Sequence, residues 1–260
     1  MRSKLEITFI SISLITTLIL FIVIGSLFII ISPADVLESL FSPEMIFALE
    51  LTLITSLVAA LCVMLVAIPT AYALSRYTFP LKSIFKSILS LPMALPEIVV
   101  GIALLMLLGD NLLGGALEKL GIDIVFTTTG IIIAQIFVAF PYAVRILYST
   151  FNYVNPRYEF VSRSLGYSEF ETFQEITLPL AKNGIFASSI VTLARCIGTF
   201  AAVLFVGGGT FMKTETLSIA LYLNMSFGNV NMAITAGMVL VVISFIAILV
   251  MEKYAQEKYL

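Results

Sequence analysis

Long apolar segments alternate with short polar connections along almost the whole chain. A helix that crosses a membrane needs about 20 mostly apolar residues. Six segments reach that length, at roughly 8–31, 47–75, 84–108, 128–151, 184–206 and 231–251. The pattern therefore predicts an all-α, polytopic membrane protein with six transmembrane helices, built as one domain over residues 1–260.

The third predicted span is interrupted by Pro92, Pro96 and Glu97. Each proline removes a backbone hydrogen bond and bends a helix. A half-helix that starts near Glu97 would point its positive end at an anion, as broken helices do in some transporters. A simple packing kink explains the same residues, so both interpretations stand at this stage.

Two ionisable residues fall at similar depth within the predicted spans, Glu97 in the third and Arg195 in the fifth. Ionisable side chains inside a membrane are functional candidates by default, and a guanidinium fork suits the oxygens of an oxyanion. Arg195 is therefore either a pathway residue or half of a structural ion pair with Glu97. Gly198, Thr199 and Ala201 follow it, and small residues allow close helix approach, as a gate or as ordinary packing.

The longest polar connection, residues 155–180, joins the fourth span to the fifth and is called the coupling loop below. Asn155-Pro156 predicts the start of a short helix, and Gly166 suits the left-handed residue that ends it. Ser168 and Glu171 have the spacing of a capping box for a second helix. The coupling loop is thus expected to form two short helices around a glycine.

The second of these helices is expected to dock on another protein. Phe170, Phe173 and Ile176 recur on one face, which suits insertion into a hydrophobic groove, and Leu178-Pro179 is expected to stop the helix where the chain re-enters the membrane. The alternative is an interfacial helix on lipid headgroups. Its glutamates disfavour that alternative, because the cytoplasmic leaflet is itself negative.

Basic residues set the predicted orientation, with the N-terminus, the C-terminus and the coupling loop in the cytoplasm. Ten then lie inside, against Lys119 and Lys213 outside, a strong positive-inside bias. The ten are Arg2, Lys4, Arg76, Lys82, Lys86, Arg157, Arg163, Lys182, Lys253 and Lys258.

Composition excludes several classes of protein. Apolar residues make up 60% of the chain and charged residues 12%, at a mean hydropathy of +1.10, whereas soluble domains carry about a quarter charged residues. The net charge of −2 and the lack of a basic surface give no sign of nucleic-acid binding. Histidine is absent and Cys62 and Cys196 lie in apolar runs, so we expect no metal site and no disulfide.

An ATP-hydrolysing site is not expected in this chain. A phosphate-binding P-loop has Gly, four residues and then Gly-Lys-Ser/Thr, and the nearest segment, GGGTFMKT at 207–214, has Met212 at the second glycine position. A membrane-embedded hydrolase is disfavoured too, because the spans hold neither a Ser–His pair nor an acidic cluster. We therefore expect no catalytic residue in this chain and no cofactor bound by it.

The coupling loop resembles the EAA loop of ABC-importer permeases. That pattern has Glu-Ala-Ala, three residues, Gly, about nine residues, then an aliphatic residue, any residue and Leu-Pro. Arg163-Ser164-Leu165-Gly166 and Ile176-Thr177-Leu178-Pro179 match it at the same spacing. The triplet positions hold Phe-Val-Ser at 160–162, and the nearest acid, Glu159, comes one residue early.

Other segments resemble the molybdate, tungstate and sulfate permeases of that family. LPMALPEIVVGIALLMLLG at 91–109 is similar to their segment with two Leu-Pro pairs. Residues 187–208 resemble their Arg-x-x-Gly-Glu-Phe-Gly stretch, with Thr199 where a Glu is usual, and residues 214–229 resemble their external helix before the last span. The molybdate/tungstate branch is the nearest in these features.

The resemblance implies a type I ABC-importer permease in the cell membrane that works as a homodimer. Two cytoplasmic ABC ATPases would use the ATP and bind the coupling loops. An external binding protein would deliver an oxyanion, for which molybdate or tungstate is the first candidate. The expected coupling residues are Glu159, Arg163, Leu165, Gly166, Phe170, Phe173, Ile176, Leu178 and Pro179. The expected pathway or gate residues are Pro92, Pro96, Glu97, Arg195, Gly198 and Thr199.

A secondary transporter or channel driven by an ion gradient is the alternative function. Proton-coupled transporters use several membrane-buried acids or histidines as relays. Glu97 is the one acid near the centre of a predicted span, which makes this alternative the weaker one.

Overall fold

Helices account for the regular structure of the chain, as the apolar pattern predicts. The computed structural model describes residues 3–109, 112–121 and 123–256, and within these ranges it contains no strand. Arg2 and Lys258, two of the residues used to predict the orientation, lie outside them. The helices are α1 (Lys4–Gly25), α2 (Pro33–Leu40), α3 (Pro43–Arg76), α4 (Lys82–Ala94), α5 (Glu97–Leu108), α6 (Leu113–Glu118), α7 (Thr128–Tyr153), α8 (Pro156–Ser164), α9 (Glu169–Thr172), α10 (Leu178–Ile197), α11 (Ala201–Gly207), α12 (Leu217–Ser226) and α13 (Val230–Gln256).

Six helical stretches of the described residues are long and apolar enough to cross a membrane, as predicted. Four of them agree with the predicted spans in position and are Lys4–Phe28, Pro43–Arg76, Thr128–Tyr153 and Val230–Lys253. The third begins at Glu97 rather than near residue 84, because α4 and α5 are separate helices. The fifth ends at Ile197, so the predicted span 184–206 consists of α10 and α11.

The first interruption has a local cause, and at the second a side chain satisfies the helix end. Leu95 has an extended backbone, with φ −88° and ψ 145°, because a residue before proline avoids the helical region and Pro96 cannot donate a backbone hydrogen bond. Pro92, by contrast, is accommodated inside α4. At the second interruption Thr199 Oγ1 donates to the Arg195 carbonyl at 2.8 Å, which satisfies an end carbonyl of α10.

The centre of the bundle is formed by α3, α7 and α10. Gln135 of α7 joins them, since its Nε2 donates to Thr55 Oγ1 at 3.3 Å, Ser56 Oγ at 3.1 Å and the Cys196 carbonyl at 3.3 Å. The three helices pack through a core rich in alanine, and small residues let membrane helices approach closely. A second core lies between α5, α7 and α11 and a third between α3, α12 and α13.

Helix α1 stands apart from these cores. None of its residues is buried, although its hydropathy is among the highest in the chain. An apolar helix with no buried face is stable when lipid or another protein covers it.

Candidate functional site

The coupling loop folds into two short helices held by the expected caps. The Asn155 side chain caps α8. At the end of α8, Gly166 has a φ of +97°, and the N–H groups of Gly166 and Tyr167 bond to carbonyls of the last turn at 3.1 and 3.3 Å, the pattern of a Schellman motif. Ser168 and Glu171 then form the capping box of α9. The glycine joint follows from the sequence as expected.

The expected stop at Leu178-Pro179 is wrong. Helix α9 continues through a π turn, Phe173–Thr177, into α10, and the Leu178 N–H bonds to the Phe173 carbonyl five residues back. A π turn accommodates one extra residue, and Pro179 falls in the first turn of α10, where its missing N–H costs least. Helix α9 is therefore continuous with the start of α10.

Glu159 faces the protein rather than a partner. Its two oxygens lie 2.9 and 3.0 Å from Arg76 Nε, at the end of α3, and it accepts a hydrogen bond from Thr177 Oγ1 at 2.9 Å. Arg76 Nη2 also donates to the Val154 carbonyl at 2.8 Å. We call Arg76, Glu159 and Thr177 the loop anchor. It ties α8 to α3 and to the π turn.

An apolar surface remains on the outside of the coupling loop. Five large hydrophobic side chains of α8, α9 and the joint between them are more than half exposed, Tyr158 among them, and we call the other four the loop patch: Phe160, Val161, Leu165 and Phe170. The bundle contributes nothing that covers them among the described residues. A patch of this kind on a loop indicates a binding surface for another protein.

Phe173 does not belong to that surface, which corrects the expectation that it shares an exposed face with Phe170. Its ring packs on those of Tyr72 and Phe151, with centroids 4.7 and 6.5 Å apart. The Phe173 ring therefore faces α3 and α7, whereas the Phe170 side chain is 66% exposed. Ile176 is only half-buried.

The remaining coupling-loop residues named from the sequence lie partly or fully at the surface. Arg163 pairs with Glu169 across Gly166 at 3.4 Å, and both side chains are largely exposed. Leu178 is half-buried and Pro179 is exposed at the start of α10. A polar cavity of about 410 Å³ opens between this ion pair and the loop anchor.

The two helix interruptions meet inside the bundle. Glu97 is the first residue of α5 and Arg195 lies in the last turn of α10. Arg195 Nη2 forms an ion pair with Glu97 Oε1, and the Phe200 N–H donates to Glu97 Oε2 at 3.3 Å. The arginine and glutamate expected at similar depth are therefore in contact.

Arg195 has further neighbours at this point. Its guanidinium lies over the Tyr142 ring, 5.0 Å from the centroid, an arrangement that stabilises a cation. Its Nε is buried and has no hydrogen-bond partner among the described residues. The side chains of Arg195 and Glu97 stay 30% and 24% exposed, so the pair can be reached from outside the core.

Close helix approach occurs at Gly101 rather than at the predicted Gly198. A Cβ on Gly101 would lie 3.0 Å from the Ala202 Cα, so the glycine is what lets α5 lie against α11. A Cβ on Gly198 would meet only ordinary contact, 3.5 Å from the Ala194 carbonyl oxygen. The spacing of Gly101 from the break at Pro96 was visible in the sequence, but its packing partner was not.

A carboxyl cluster at the other end of the bundle was not singled out from the sequence. Glu215, before α12, is 1% exposed, and its Oε2 has no hydrogen-bond partner among the described residues. Glu44, at the start of α3, accepts a hydrogen bond from Asn224 Nδ2 at 2.5 Å. Burial, followed by the negative charge of Glu44, raises the pKa of Glu215 to about 7, although a hydrogen bond from the Met212 backbone opposes the shift.

Stability is therefore expected to depend on pH through Glu215. The folded-state pKa lies above the ordinary value of 4.5, so the contribution is complete below about pH 4.5 and is lost as the pH rises through about 7. Thermal unfolding in detergent between about pH 5 and about pH 8 measures this loss. Glu215→Gln should flatten the dependence, whereas Glu38→Gln, exposed on α2, should not. An unchanged slope in Glu215→Gln would contradict the assignment.

The chain matches a family described as binding-protein-dependent transport system inner membrane component, over residues 64–257. Among its curated relatives is the molybdate/tungstate transport system permease protein WtpB of Methanocaldococcus jannaschii, 35% identical over 88% of this chain and 90% of the relative. The sulfate transport system permease protein CysT of Escherichia coli is 29% identical over 72% of this chain and 68% of the relative.

Solved structures agree in fold. A chain of a bacterial ABC transporter involved in the import of the acidic polysaccharide alginate superposes with a TM-score of 0.72 at 19% identity, over 97% of this chain and 96% of that chain. A second structure of the bacterial alginate transporter, in complex with a periplasmic protein bound to an alginate pentasaccharide, also gives a TM-score of 0.72, at 17% identity over 96% of this chain and 94% of that chain.

Proposed function

The chain belongs to the family of binding-protein-dependent transport system inner membrane components, and we propose that it forms the translocation pathway of a molybdate or tungstate importer. It is a type I ABC-importer permease subunit, all-α and multi-pass in the membrane. The match to the molybdate/tungstate permease, which spans most of both chains, carries the substrate proposal. Sulfate permeases are similar as well, so the broader substrate class is a tetrahedral oxyanion.

Energy enters through the coupling loop in this proposal. The loop patch gives a cytoplasmic ABC ATPase an apolar surface to bind, while the loop anchor and the π turn join that surface to α3 and α10. Closure of two ATPases on ATP would then move both coupling loops together. This is a rigid-body switch carried by a packed helix.

Two copies of this chain and an external binding protein complete the proposed assembly. An oxyanion pathway on a two-fold axis needs a second subunit, and α1 has an apolar surface that no described residue of its own chain buries. The alginate transporter of similar fold was solved with a periplasmic protein bound, which supports a binding protein on the outer side here. The carboxyl cluster at Glu215 lies at that end of the bundle.

Uptake into proteoliposomes tests the proposal. The permease is reconstituted with the ATPase and the external binding protein of the proposed assembly, and accumulation of molybdate, tungstate and sulfate is followed with ATP inside. We expect ATP-dependent accumulation of molybdate or tungstate, with sulfate as a weaker competitor. Uptake that persists without ATP under an ion gradient would instead support a secondary transporter, and accumulation of none of the three anions would refute the substrate.

Gly166→Val is expected to uncouple ATP hydrolysis from transport. Gly166 has a φ of +97° and open space around it, so a valine strains only the backbone of the joint. We expect the ratio of anion transported to ATP hydrolysed to fall between about fivefold and about a hundredfold, the usual range of a coupling free energy.

Gly228→Val is the matched control for this variant. Gly228 also has a positive φ, +82°, and open space, but it lies between α12 and α13. It should lose a similar amount of stability and keep the transport ratio. Equal loss of coupling in both variants, or normal coupling in Gly166→Val, would remove the joint from the mechanism.

A further inference from the structure

Three hydrogen-bond donors converge where α10 ends and α5 begins. Arg195 Nη2 pairs with Glu97 Oε1, and the Phe200 N–H donates to Glu97 Oε2 at 3.3 Å. The third donor, Arg195 Nε, is buried and has no partner among the described residues. Nε and Nη2 share one edge of the guanidinium, the edge that binds carboxylate or phosphate through two parallel hydrogen bonds. The Glu97 carboxylate therefore fills only part of an anion-binding donor set.

The loop anchor contains an Arg–Glu pair in which Nε has a partner and Nη2 donates to the Val154 carbonyl. There Arg76 Nε lies 2.9 and 3.0 Å from the two oxygens of Glu159, and the two side chains are only 9% and 7% exposed. The pair of Arg195 and Glu97 leaves Nε without a partner and keeps 30% and 24% exposure. One pair is closed and excluded from solvent, whereas the other is incomplete and accessible.

We propose that Arg195 Nε, Arg195 Nη2 and the Phe200 N–H form a cradle for the transported oxyanion, and that Glu97 occupies it as a tethered carboxylate until the oxyanion displaces it. The identity of the anion rests on the proposed function. A tetrahedral oxyanion has four oxygens, so each of the three donors can bind a different oxygen. At equal distance a doubly charged anion is also attracted more strongly than a singly charged carboxylate.

The tethered carboxylate also accounts for release. An arginine alone in a medium of low dielectric constant would hold a divalent anion strongly, and this would slow its passage. Glu97 begins α5 and thus remains beside Arg195 at a high effective concentration. It re-enters the cradle as the anion leaves, so binding is transient. Thr199 Oγ1 donates to the Arg195 carbonyl at 2.8 Å, so it satisfies the backbone of the cradle arginine.

Direct tungstate binding to the permease–ATPase complex, without the binding protein, tests the cradle. The variants are Glu97→Gln, Arg195→Gln and the double variant, with bound tungstate measured by equilibrium dialysis and elemental analysis. Glu97→Gln should bind tungstate roughly ten- to a hundredfold more tightly than the unmodified complex, the value of one hydrogen bond to a charged group. Arg195→Gln and the double variant should bind none, and sulfate should compete in Glu97→Gln.

Two matched controls separate the cradle from general effects of membrane charge. Glu50→Gln on α3 and Arg145→Gln on α7 change exposed side chains and should leave tungstate binding as it is in the unmodified complex. Size-exclusion chromatography checks assembly, and Glu97→Asp, which shortens the tether, replaces Glu97→Gln if that variant does not assemble.

The outcomes distinguish the cradle from the proposed function. Equal binding in the unmodified complex and Glu97→Gln, or tungstate binding that survives Arg195→Gln, would overturn the cradle. The binding measurement needs no ATP turnover. It therefore tests the cradle even in a complex that does not transport. Failure of the unmodified importer to take up any oxyanion refutes the proposed function, whereas normal uptake with unchanged binding in Glu97→Gln refutes the cradle alone.

Discussion

Glu159→Leu is expected to lower the free energy of unfolding by about 3–5 kcal/mol, because it leaves the Arg76 guanidinium buried without its partner. The cost is large since Arg76 is 9% exposed and the Glu159 carboxylate accepts from both Arg76 and Thr177. Denaturant or detergent titration of the purified protein measures it. ATP-driven uptake should be lost as well, because α8 is no longer tied to α3.

The exposed pair in the same loop is the control for this prediction. Arg163 and Glu169 lie 3.4 Å apart with side chains 49% and 69% exposed, and such pairs contribute about 0–1 kcal/mol. Glu169→Leu should therefore change stability little. A cost in Glu159→Leu as small as in Glu169→Leu would show that the loop anchor is not a stabilising contact.

A double variant separates stability from coupling. Replacing both members of a buried ion pair with apolar residues often restores most of the lost stability. The double variant Arg76→Met with Glu159→Leu should therefore have nearly the same free energy of unfolding as the unmodified chain. We expect its uptake to stay low, since the ion pair and hydrogen bonds that fix α8 to the end of α3 and to Thr177 are then gone. Recovery of uptake together with stability would mean that the pair only stabilises the fold.

The number of spans and the caps of the coupling loop could be predicted because each depends on a short stretch of sequence. Twenty apolar residues suffice to make a span, and Asn155, Gly166 and Ser168 act on helix ends within a few residues of themselves. The same is true of the break at Pro96, where proline imposes its own backbone geometry.

Features that depend on distant residues were harder to predict. In the sequence Glu159 has the pattern of a surface acid on a polar helix. Its burial depends on the contact with Arg76, which is far away in the sequence. The Phe173 ring packs on Tyr72 and Phe151, which come earlier in the chain, so its spacing from Phe170 alone does not show which way it faces. The pairing of Glu97 with Arg195 was one of two readings, because similar depth does not specify which faces of two helices meet.

Phe170→Glu is expected to release the ATPase without unfolding the permease. Phe170 is 66% exposed in the loop patch, so its replacement should alter the free energy of unfolding by no more than about 0.5 kcal/mol. An aromatic side chain at the centre of an interface commonly contributes about 2 kcal/mol or more, which corresponds to roughly thirtyfold weaker binding. Affinity between the purified permease and the ATPase measures this, and uptake should fall with it.

The matched control is Phe227→Glu, since Phe227 is equally large and 81% exposed but lies between α12 and α13, at the opposite end of the bundle from the coupling loop. A charge there should leave ATPase binding intact. The three loop variants then distinguish ATPase binding from the coupling of ATP hydrolysis to transport. Phe170→Glu should weaken ATPase binding, and Gly166→Val should bind the ATPase but transport less anion per ATP hydrolysed. Glu159→Leu should lower the free energy of unfolding. An ATPase that binds Phe170→Glu with unchanged affinity would place its docking surface away from α9, because Phe170 is the aromatic ring that α9 contributes to the loop patch.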